Sequence, residues 1–363
     1  MSNNAAVYRK KEGVKPMQGT LTERMLPAPV GGGFEMEGYW VWCGSVIKAD
    51  GKYHMFASRW RKTLPMHPGW LMESEIVRAE SNTPEGPYVF QEVVTPARGA
   101  EYWDGRTTHN PHIMKIGDTY VLYYMGSTHP FPDVPLGETL DNSSPRTIVA
   151  RANKRIGIAT SKSIYGPWTR YDKPVLEPRP DKFDNFFTSN PAPCLNPDGS
   201  VTIVYKTRTY ARPPYPEYLH GKMELGVAKA DSFAGPFTAC SDSPLITDSA
   251  LEVEDPFIWL DEDGYNMMAK DMNGKICGEK YGGIYASSQD GIHWNIKRDF
   301  LFYSRNILWD DGVVREMGNM ERPFILFEDG QPTHLFFATS DGKNGKGFGN
   351  ATKTWNMVIP LRK

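Results

Sequence analysis

The chain has 363 residues, of which 40% are hydrophobic and 23% are charged, and its formal net charge at pH 7 is −2. This composition is ordinary for a globular protein, and the small net charge argues against nucleic acid or an anionic membrane as a partner held by long-range electrostatics. No stretch approaches the roughly 18 apolar residues of a membrane-spanning helix.

The first sixteen residues, MSNNAAVYRKKEGVKP, lack the apolar segment of a signal peptide. We therefore expect a cytoplasmic protein, or a periplasmic or secreted one if a leader peptide has been removed. Four cysteines are far apart in the sequence and form no C-x-x-C pair, namely Cys43, Cys194, Cys240 and Cys277. Such spacing indicates reduced thiols, so we expect neither a metal site nor any other cofactor.

One element recurs along the chain: an apolar strand, a tight turn and a second apolar strand. Its copies are CGSVIKADGKYHMF, NPHIMKIGDTYVLYY, NPAPCLNPDGSVTIVY, DPFIWLDEDGYNMMA and RPFILFEDGQPTHLFFA, in chain order. Asp-Gly or Gly-Asp occupies the bend of every copy, and such pairs favour tight hairpins. A second hairpin element follows the first four copies, as in RAESNTPEGPYVF and GIATSKSIYGPWTRY. Two hairpins per repeat predict a four-stranded antiparallel unit.

These repeats predict an all-β fold, a five-bladed β-propeller of four-stranded antiparallel blades. We expect a single domain over residues 1–363, with an N-terminal closing segment at 1–40 and blades that start near 41, 108, 188, 253 and 320. The segment WLMESEIVRAE, from Trp70, could be read as a helix, but its place in the repeat predicts a strand. A β-sandwich would not explain five evenly spaced copies.

The first strand of each propeller blade lines the central channel, so equivalent residues should converge on one pocket. At one such position the chain has Cys43, Asn110, Asn190, Asp255 and Arg322. The residues that precede these are Trp42, His109, Ser189, Glu254 and Glu321. A mixture of acids, amides and aromatics is typical of a sugar site, where rings stack on the sugar and polar groups bind its hydroxyls.

Two carboxyl groups that flank a bond are what glycoside cleavage requires. Glu254, Asp255 and Glu321 are the acids at the converging positions, and crowding in a dry channel raises the pKa of one of them. Because Glu254 and Asp255 are neighbours on a strand, we expect their side chains to point to opposite faces unless the strand bulges.

The pattern resembles the five-bladed glycoside hydrolases: family 43, the invertase and levansucrase group, and family 117. Asp255-Pro256 resembles the Asp-Pro of their inner strands, and Glu254 and Glu321 resemble their acid Glu two residues before Pro. The resemblance implies their fold and a small oligosaccharide as the substrate. Those families usually have a base or nucleophile Asp where this chain has Cys43. Either the catalytic pair lies in blades four and five, or Asp104 in YWDGRTTHNP supplies the base from a loop.

Other side chains are candidates for substrate binding. We expect Trp42 to stack on the sugar, His109, Asn110 and Asn190 to bind hydroxyls, and Arg322 to hold a carboxylate or a pair of hydroxyls. Arg59, Arg61, Lys206, Arg208 and Lys270 end the second strands of their hairpins at equivalent positions. This clustering indicates an anionic group near the site.

Three functions agree with the sequence. The first is an exo-acting glycoside hydrolase for a small oligosaccharide, including an anionic one. The second is a glycoside phosphorylase that resembles the mannoside phosphorylases of family 130, in which basic residues hold phosphate. The third is a propeller that binds carbohydrate without cleaving it. The sequence leaves the oligomeric state open.

Overall fold

The computed structural model describes residues 20–210, 220–342 and 350–363. The sixteen residues considered above for a leader, and the first half of the segment 1–40, lie outside these ranges. Antiparallel sheets are the main regular structure of the described residues, and they are arranged as the five blades of a propeller. The prediction of an all-β, five-bladed propeller is confirmed.

The strands of each blade follow one another in sequence order. Blade one consists of β1 (Tyr39–Ala49), β2 (Lys52–Arg61), β3 (Glu75–Ser81) and β4 (Val89–Thr95). Blade two consists of β5 (Thr107–Ile116), β6 (Thr119–Ser127), β7 (Arg155–Ser161) and β8 (Thr169–Arg170). Blade three consists of β9 (Phe187–Leu195), β10 (Val201–Arg208), β11 (Glu224–Ala230) and β12 (Thr238–Ala239).

The last two blades follow the same plan. Blade four consists of β13 (Val253–Asp261), β14 (Gly264–Asp271), β15 (Gly283–Ser288) and β16 (Asn295–Ile296). A two-stranded sheet, β17 (Asn306–Leu308) and β18 (Val314–Glu316), precedes blade five. Blade five has β19 (Asn319–Glu328), β20 (Gln331–Ser340) and β21 (Thr354–Pro360).

The first strands of the blades close into a ring. Strand β1 contacts β5, β5 contacts β9, β9 contacts β13, β13 contacts β19, and β19 returns to β1. Apolar side chains pack between adjacent blades, for example Val41 of blade one with Phe336 of blade five in one buried cluster. Residues that are far apart in the sequence therefore meet at the axis.

The segment that precedes blade one supplies an edge to blade five. Phe34 and Asn356 of β21 exchange two backbone hydrogen bonds, each of 2.9 Å. The backbone N–H of Leu26 donates to the carbonyl oxygen of Pro360 in the same strand. Blade five thus obtains its fourth strand from the opposite end of the sequence, which joins the first and last parts of the propeller.

Two short helices interrupt the repeats, and one of them corrects a prediction. Helix α1 (Met66–Glu73) contains the first half of the segment from Trp70 that we predicted to be a strand, and only Glu75–Ser81 is extended. The helix fits because Leu71 and Met72 pack against Leu140 and against Ala150 of helix α2 (Pro145–Ala152). Each helix has eight residues, so no helix in the described ranges could cross a membrane.

Candidate active site

A bulge in the first strand of every blade directs side chains toward the axis. The five residues at the converging position have positive φ angles between 50° and 58°: Cys43, Asn110, Asn190, Asp255 and Arg322. At each of them the pairing of the first strand with the second strand shifts register. A bulge adds a residue to one strand and re-aims the side chains around it. Glu254 and Asp255 therefore do not point to opposite faces.

The bulged residues form a series of hydrogen bonds across the axis. The Cys43 thiol donates to Asn110 Oδ1 (2.7 Å), and Asn110 Nδ2 donates to Asn190 Oδ1 (2.6 Å). Asn190 Nδ2 donates to Asp255 Oδ1 (2.7 Å), and the backbone N–H of Arg322 donates to Asp255 Oδ2 (3.2 Å). This arrangement closes the channel with a floor.

Three carboxyl groups surround the ammonium group of Lys270, which lies on β14 and is 1% exposed. Its Nζ atom is 2.9 Å from Glu254 Oε2 and 2.8 Å from Glu321 Oε1. The same nitrogen is 3.3 Å from Asp255 Oδ2. Lys206 Nζ also donates to Glu254 Oε1, so Glu254 is held by two cations. Glu321 has one cationic partner and one neutral donor, Asn319 Nδ2 at 3.1 Å.

These surroundings shift the pKa values of the two glutamates in opposite directions. Burial raises the pKa of Glu254, but attraction to Lys206 and Lys270 outweighs it and holds that pKa well below its usual value. Burial raises the pKa of Glu321 to about 7, and the negative charges of Asp255 and Glu254 contribute to this rise. Attraction to Lys270 lowers the pKa but does not outweigh them. Below pH 7, therefore, Glu254 is ionised while most Glu321 carboxyl groups carry a proton.

His109 lies in the wall of the cavity as a neutral ring. The hydroxyl of Ser74 donates to the Thr108 carbonyl oxygen, so it accepts a hydrogen bond from His109 Nδ1 (2.8 Å). Nε2 is then the unprotonated nitrogen, and it lies 3.7 Å from Cys43 Sγ. Burial and the cations around it keep the pKa of His109 well below its usual value, and the ring stacks on Trp70. The unprotonated Nε2 can accept a hydrogen bond from a substrate hydroxyl.

A cavity of about 610 Å³ opens above the floor, and this volume is typical of small-molecule sites. Eleven of the fourteen candidate residues line it: Trp42, His109, Asn110, Asn190, Lys206, Arg208, Glu254, Asp255, Lys270, Glu321 and Arg322. The buried Nη1 of Arg322 has no hydrogen-bond partner among the described residues and lies 3.9 Å from Asp255 Oδ1.

Asp104, the candidate base from a loop, is placed away from the cavity. Its carboxylate is fully buried and paired with Arg98 (2.7 Å) and Arg170 (2.6 Å). The Tyr124 hydroxyl donates to the same carboxylate at 2.7 Å. Asp104 thus anchors the loop before β5 and does not line the cavity.

Sequence reasoning also missed several cavity residues. Arg151 and Lys154 come from helix α2 and the turn after it, outside the repeated hairpins, so the comparison of repeats could not place them. Further residues that it did not single out are Trp60, Met66, His67, Trp70, Phe187, Met223, Met272, Lys280, Tyr281, Arg305 and Asn319. Arg59 and Arg61 pair with Glu75 and Glu73 and do not line the cavity, contrary to expectation.

The carboxylates of this cavity are paired with lysines. In the described ranges no group of three or more His, Cys, Asp or Glu side chains is arranged to hold a metal ion.

Comparisons with known proteins agree with this architecture. Neither a family model nor a curated protein matches the sequence. Among solved structures, Zg3597, a family 117 glycoside hydrolase from Zobellia galactanivorans, matches with a TM-score of 0.64 and 16% identity, over 93% of this chain and 89% of that one. A second glycoside hydrolase matches with a TM-score of 0.64 and 14% identity, over 94% of this chain and 93% of that one.

A further match is a GH43_1 enzyme from Xanthomonas citri complexed with xylose, with a TM-score of 0.55 and 14% identity, over 94% of this chain and 91% of that one. The chain has the fold of the five-bladed glycoside hydrolases. This confirms the resemblance inferred from the repeats. At such low identity the likeness concerns the fold alone.

Proposed function

We propose that the protein is an exo-acting glycoside hydrolase that cleaves a small oligosaccharide in the axial cavity. The observation that carries the proposal is the pair Glu254 and Glu321. Both contact the ammonium group of Lys270, yet their pKa values are shifted in opposite directions. Two carboxyl groups with such different environments are typical of an acid and its charged partner in glycosidases.

In this mechanism the protonated Glu321 gives its proton to the leaving oxygen as the glycosidic bond breaks. The ionised Glu254 stabilises the positive charge that develops on the sugar, and water completes the hydrolysis. Asp255 accepts hydrogen bonds from Asn190 and from the backbone of Arg322, so we assign it to the floor and not to the reaction. Its charge helps to keep Glu321 protonated.

The position and size of the cavity support exo action. The hydrogen-bonded series from Cys43 to Asp255 lies across the axis of the propeller, so we expect the substrate to enter from one side. A cavity of about 610 Å³ is of a size to hold the end of a small saccharide. Trp70 and His109 form a stacked pair in its wall, beside which a sugar ring can lie.

The roles of the two glutamates can be separated by the leaving group. A panel of 4-nitrophenyl glycosides is compared with the corresponding alkyl glycosides. The 4-nitrophenolate group leaves without protonation, whereas an alkoxide leaving group needs a proton from an acid. We expect E321Q to lose about 10²–10⁴-fold in kcat/KM on the alkyl glycosides and much less on the 4-nitrophenyl ones. E254Q should lose activity on both.

A matched control is E328Q, on the same strand β19 but outside the cavity, where Glu328 pairs with Lys48. This variant should keep the wild-type rates. Wild-type rates of E321Q on alkyl glycosides would contradict the assignment of the acid. A wild-type protein that cleaves no glycoside of the panel would contradict the proposed function.

A further inference from the structure

One side of the cavity carries four basic side chains, which we name the cation wall: Arg151, Lys154, Lys206 and Arg208. Arg151 ends helix α2, Lys154 precedes β7, and Lys206 and Arg208 lie on β10. All four line the same cavity. The wall therefore joins an insertion of blade two to the second strand of blade three.

Lys154 is the most unusual member of the wall. It is 3% exposed, and in the described ranges no carboxylate pairs with it. Its Nζ atom lies 3.4 Å from the centre of the Phe187 ring and 5.7 Å from that of Trp70. These rings attract the ammonium group weakly and do not neutralise it. A buried cation without a counter-ion is costly unless a ligand completes its surroundings.

The charge of the wall is also poorly balanced as a whole. Among its members only Lys206 has a carboxylate partner, Glu254, in the part of the sequence that the structure describes. Burial lowers the pKa of Lys154 well below its usual value, and repulsion from the other three cations lowers it further. Burial likewise lowers the pKa of Arg151 to about 10, with a contribution from Arg208.

Neutral partners hold the two guanidinium groups in place. Arg151 Nη2 donates to Asn142 Oδ1 at 2.7 Å. Arg208 Nη1 donates to His220 Nδ1 and to the Gly221 carbonyl oxygen, both at 2.8 Å. Such contacts orient the two groups without cancelling their charge. Planar guanidinium groups beside an ammonium group suit the oxygens of a carboxylate, sulfate or phosphate.

We propose that the cation wall is a subsite for a small oxyanion, which is either an acidic group on the sugar or inorganic phosphate that enters with it. The inference rests on the proposed function and names the substrate class of the same site. Lys206 links the wall to Glu254, so the oxyanion lies beside the reacting carbon. A uronic acid or a sulfated sugar would place its charge there, whereas phosphate would itself attack the sugar.

Binding of monosaccharides and phosphate to the variant E321Q tests the proposal without turnover. Isothermal titration calorimetry compares glucuronic and galacturonic acid with glucose and galactose, and adds inorganic phosphate as a separate probe. We expect one of the uronic acids or phosphate to bind at least about tenfold more tightly than the neutral sugars. Adding K154M should abolish this preference, because it removes a charge while keeping the length of the side chain.

The control K162M removes a lysine that is exposed and pairs with Asp118 outside the cavity. It should leave the preference unchanged, which separates a local contact from net charge. R151Q is the second test variant if K154M does not fold, as judged by its thermal transition.

The outcomes distinguish the two sources of the oxyanion. Preference for a uronic acid over its neutral sugar supports an acidic substrate. Phosphate binding that K154M abolishes, with release of a sugar 1-phosphate by the active protein, supports phosphorolysis. Equal binding of acidic and neutral sugars together with no phosphate binding would overturn the subsite. Because activity is not measured in the titrations, this failure would leave the roles of Glu254 and Glu321 intact.

Discussion

Glu254 and Glu321 are identical side chains at equivalent places in adjacent blades, and their neighbours alone give them different protonation states. Lys206 and Lys270 both donate to Glu254, whereas Glu321 shares Lys270 with two other carboxylates. In a buried site each added charge strongly shifts the pKa of a neighbouring carboxyl group, since little water screens the charge. Lys270 therefore binds three carboxyl groups of the protein itself. This role differs from the substrate contact that the sequence predicted.

Cys43 replaces the Asp that the resemblance would place in blade one. Burial raises the pKa of its thiol well above the usual value, so the group remains protonated and donates to Asn110. A carboxylate at this position would face the amide oxygen of Asn110 and repel it. The thiol is thus compatible with the hydrogen-bonded floor in a way that an ionised Asp is not.

The sequence predicted eleven side chains that line the cavity, but it did not predict the geometry of their strands. The rule that neighbours on a strand face opposite sides failed at Glu254 and Asp255 because all five first strands bulge. At three of the five bulged positions the residue type itself could have indicated the bulge. Asn110, Asn190 and Asp255 belong to the residue types that adopt positive φ most readily, and their recurrence at equivalent positions predicts a bulge.

Two substitutions of Asn110 test the bulge. Both N110G and N110V remove the same side-chain hydrogen bonds, but only valine places a branched side chain at φ 55°. We expect N110V to be less stable than N110G by about 1–2 kcal/mol, measured by urea denaturation. In a regular strand the order would be reversed, because valine favours extended structure and glycine does not. Finding valine the more stable would argue against the bulge.

The fold was predictable from the sequence because the repeat carries it. Five hairpins with Asp-Gly or Gly-Asp turns require five similar units, and a ring buries their faces most completely. The cation wall was only partly predictable. Lys206 and Arg208 belong to a repeated strand, but Arg151 and Lys154 lie between β6 and β7, in a segment that is not part of the repeated hairpins. That segment reaches the cavity only when the propeller has folded.

The propeller is held closed by the pairing of the N-terminal segment with β21. Gly33 makes this close approach possible, since a Cβ atom there would lie 1.8 Å from the carbonyl oxygen of Asn356. Gly31 has nearly the same φ angle, 77° against 78°, and nothing lies within 4 Å of its Cβ position. The two glycines therefore form a matched pair.

We expect G31A to lower the free energy of unfolding by about 1–2 kcal/mol, which is the cost of the left-handed backbone for alanine. G33A should lower the free energy of unfolding by at least about 2 kcal/mol more than G31A does. The new methyl group separates Phe34 from Asn356 and breaks their two hydrogen bonds. Thermal unfolding monitored by circular dichroism measures both. Equal losses would mean that the pairing does not hold the propeller closed.

The most direct test of the account is a titration of the carboxyl groups followed by difference infrared spectroscopy between pH 5 and 9. In the wild-type protein we expect one buried carboxyl group to lose its proton near pH 7, and this transition should be absent from E321Q and unaffected in E328Q. The group is protonated below that pH, so activity should fall as the pH rises through it. Identical spectra for the wild type and E321Q over this range would contradict the assignment of Glu321 as the acid.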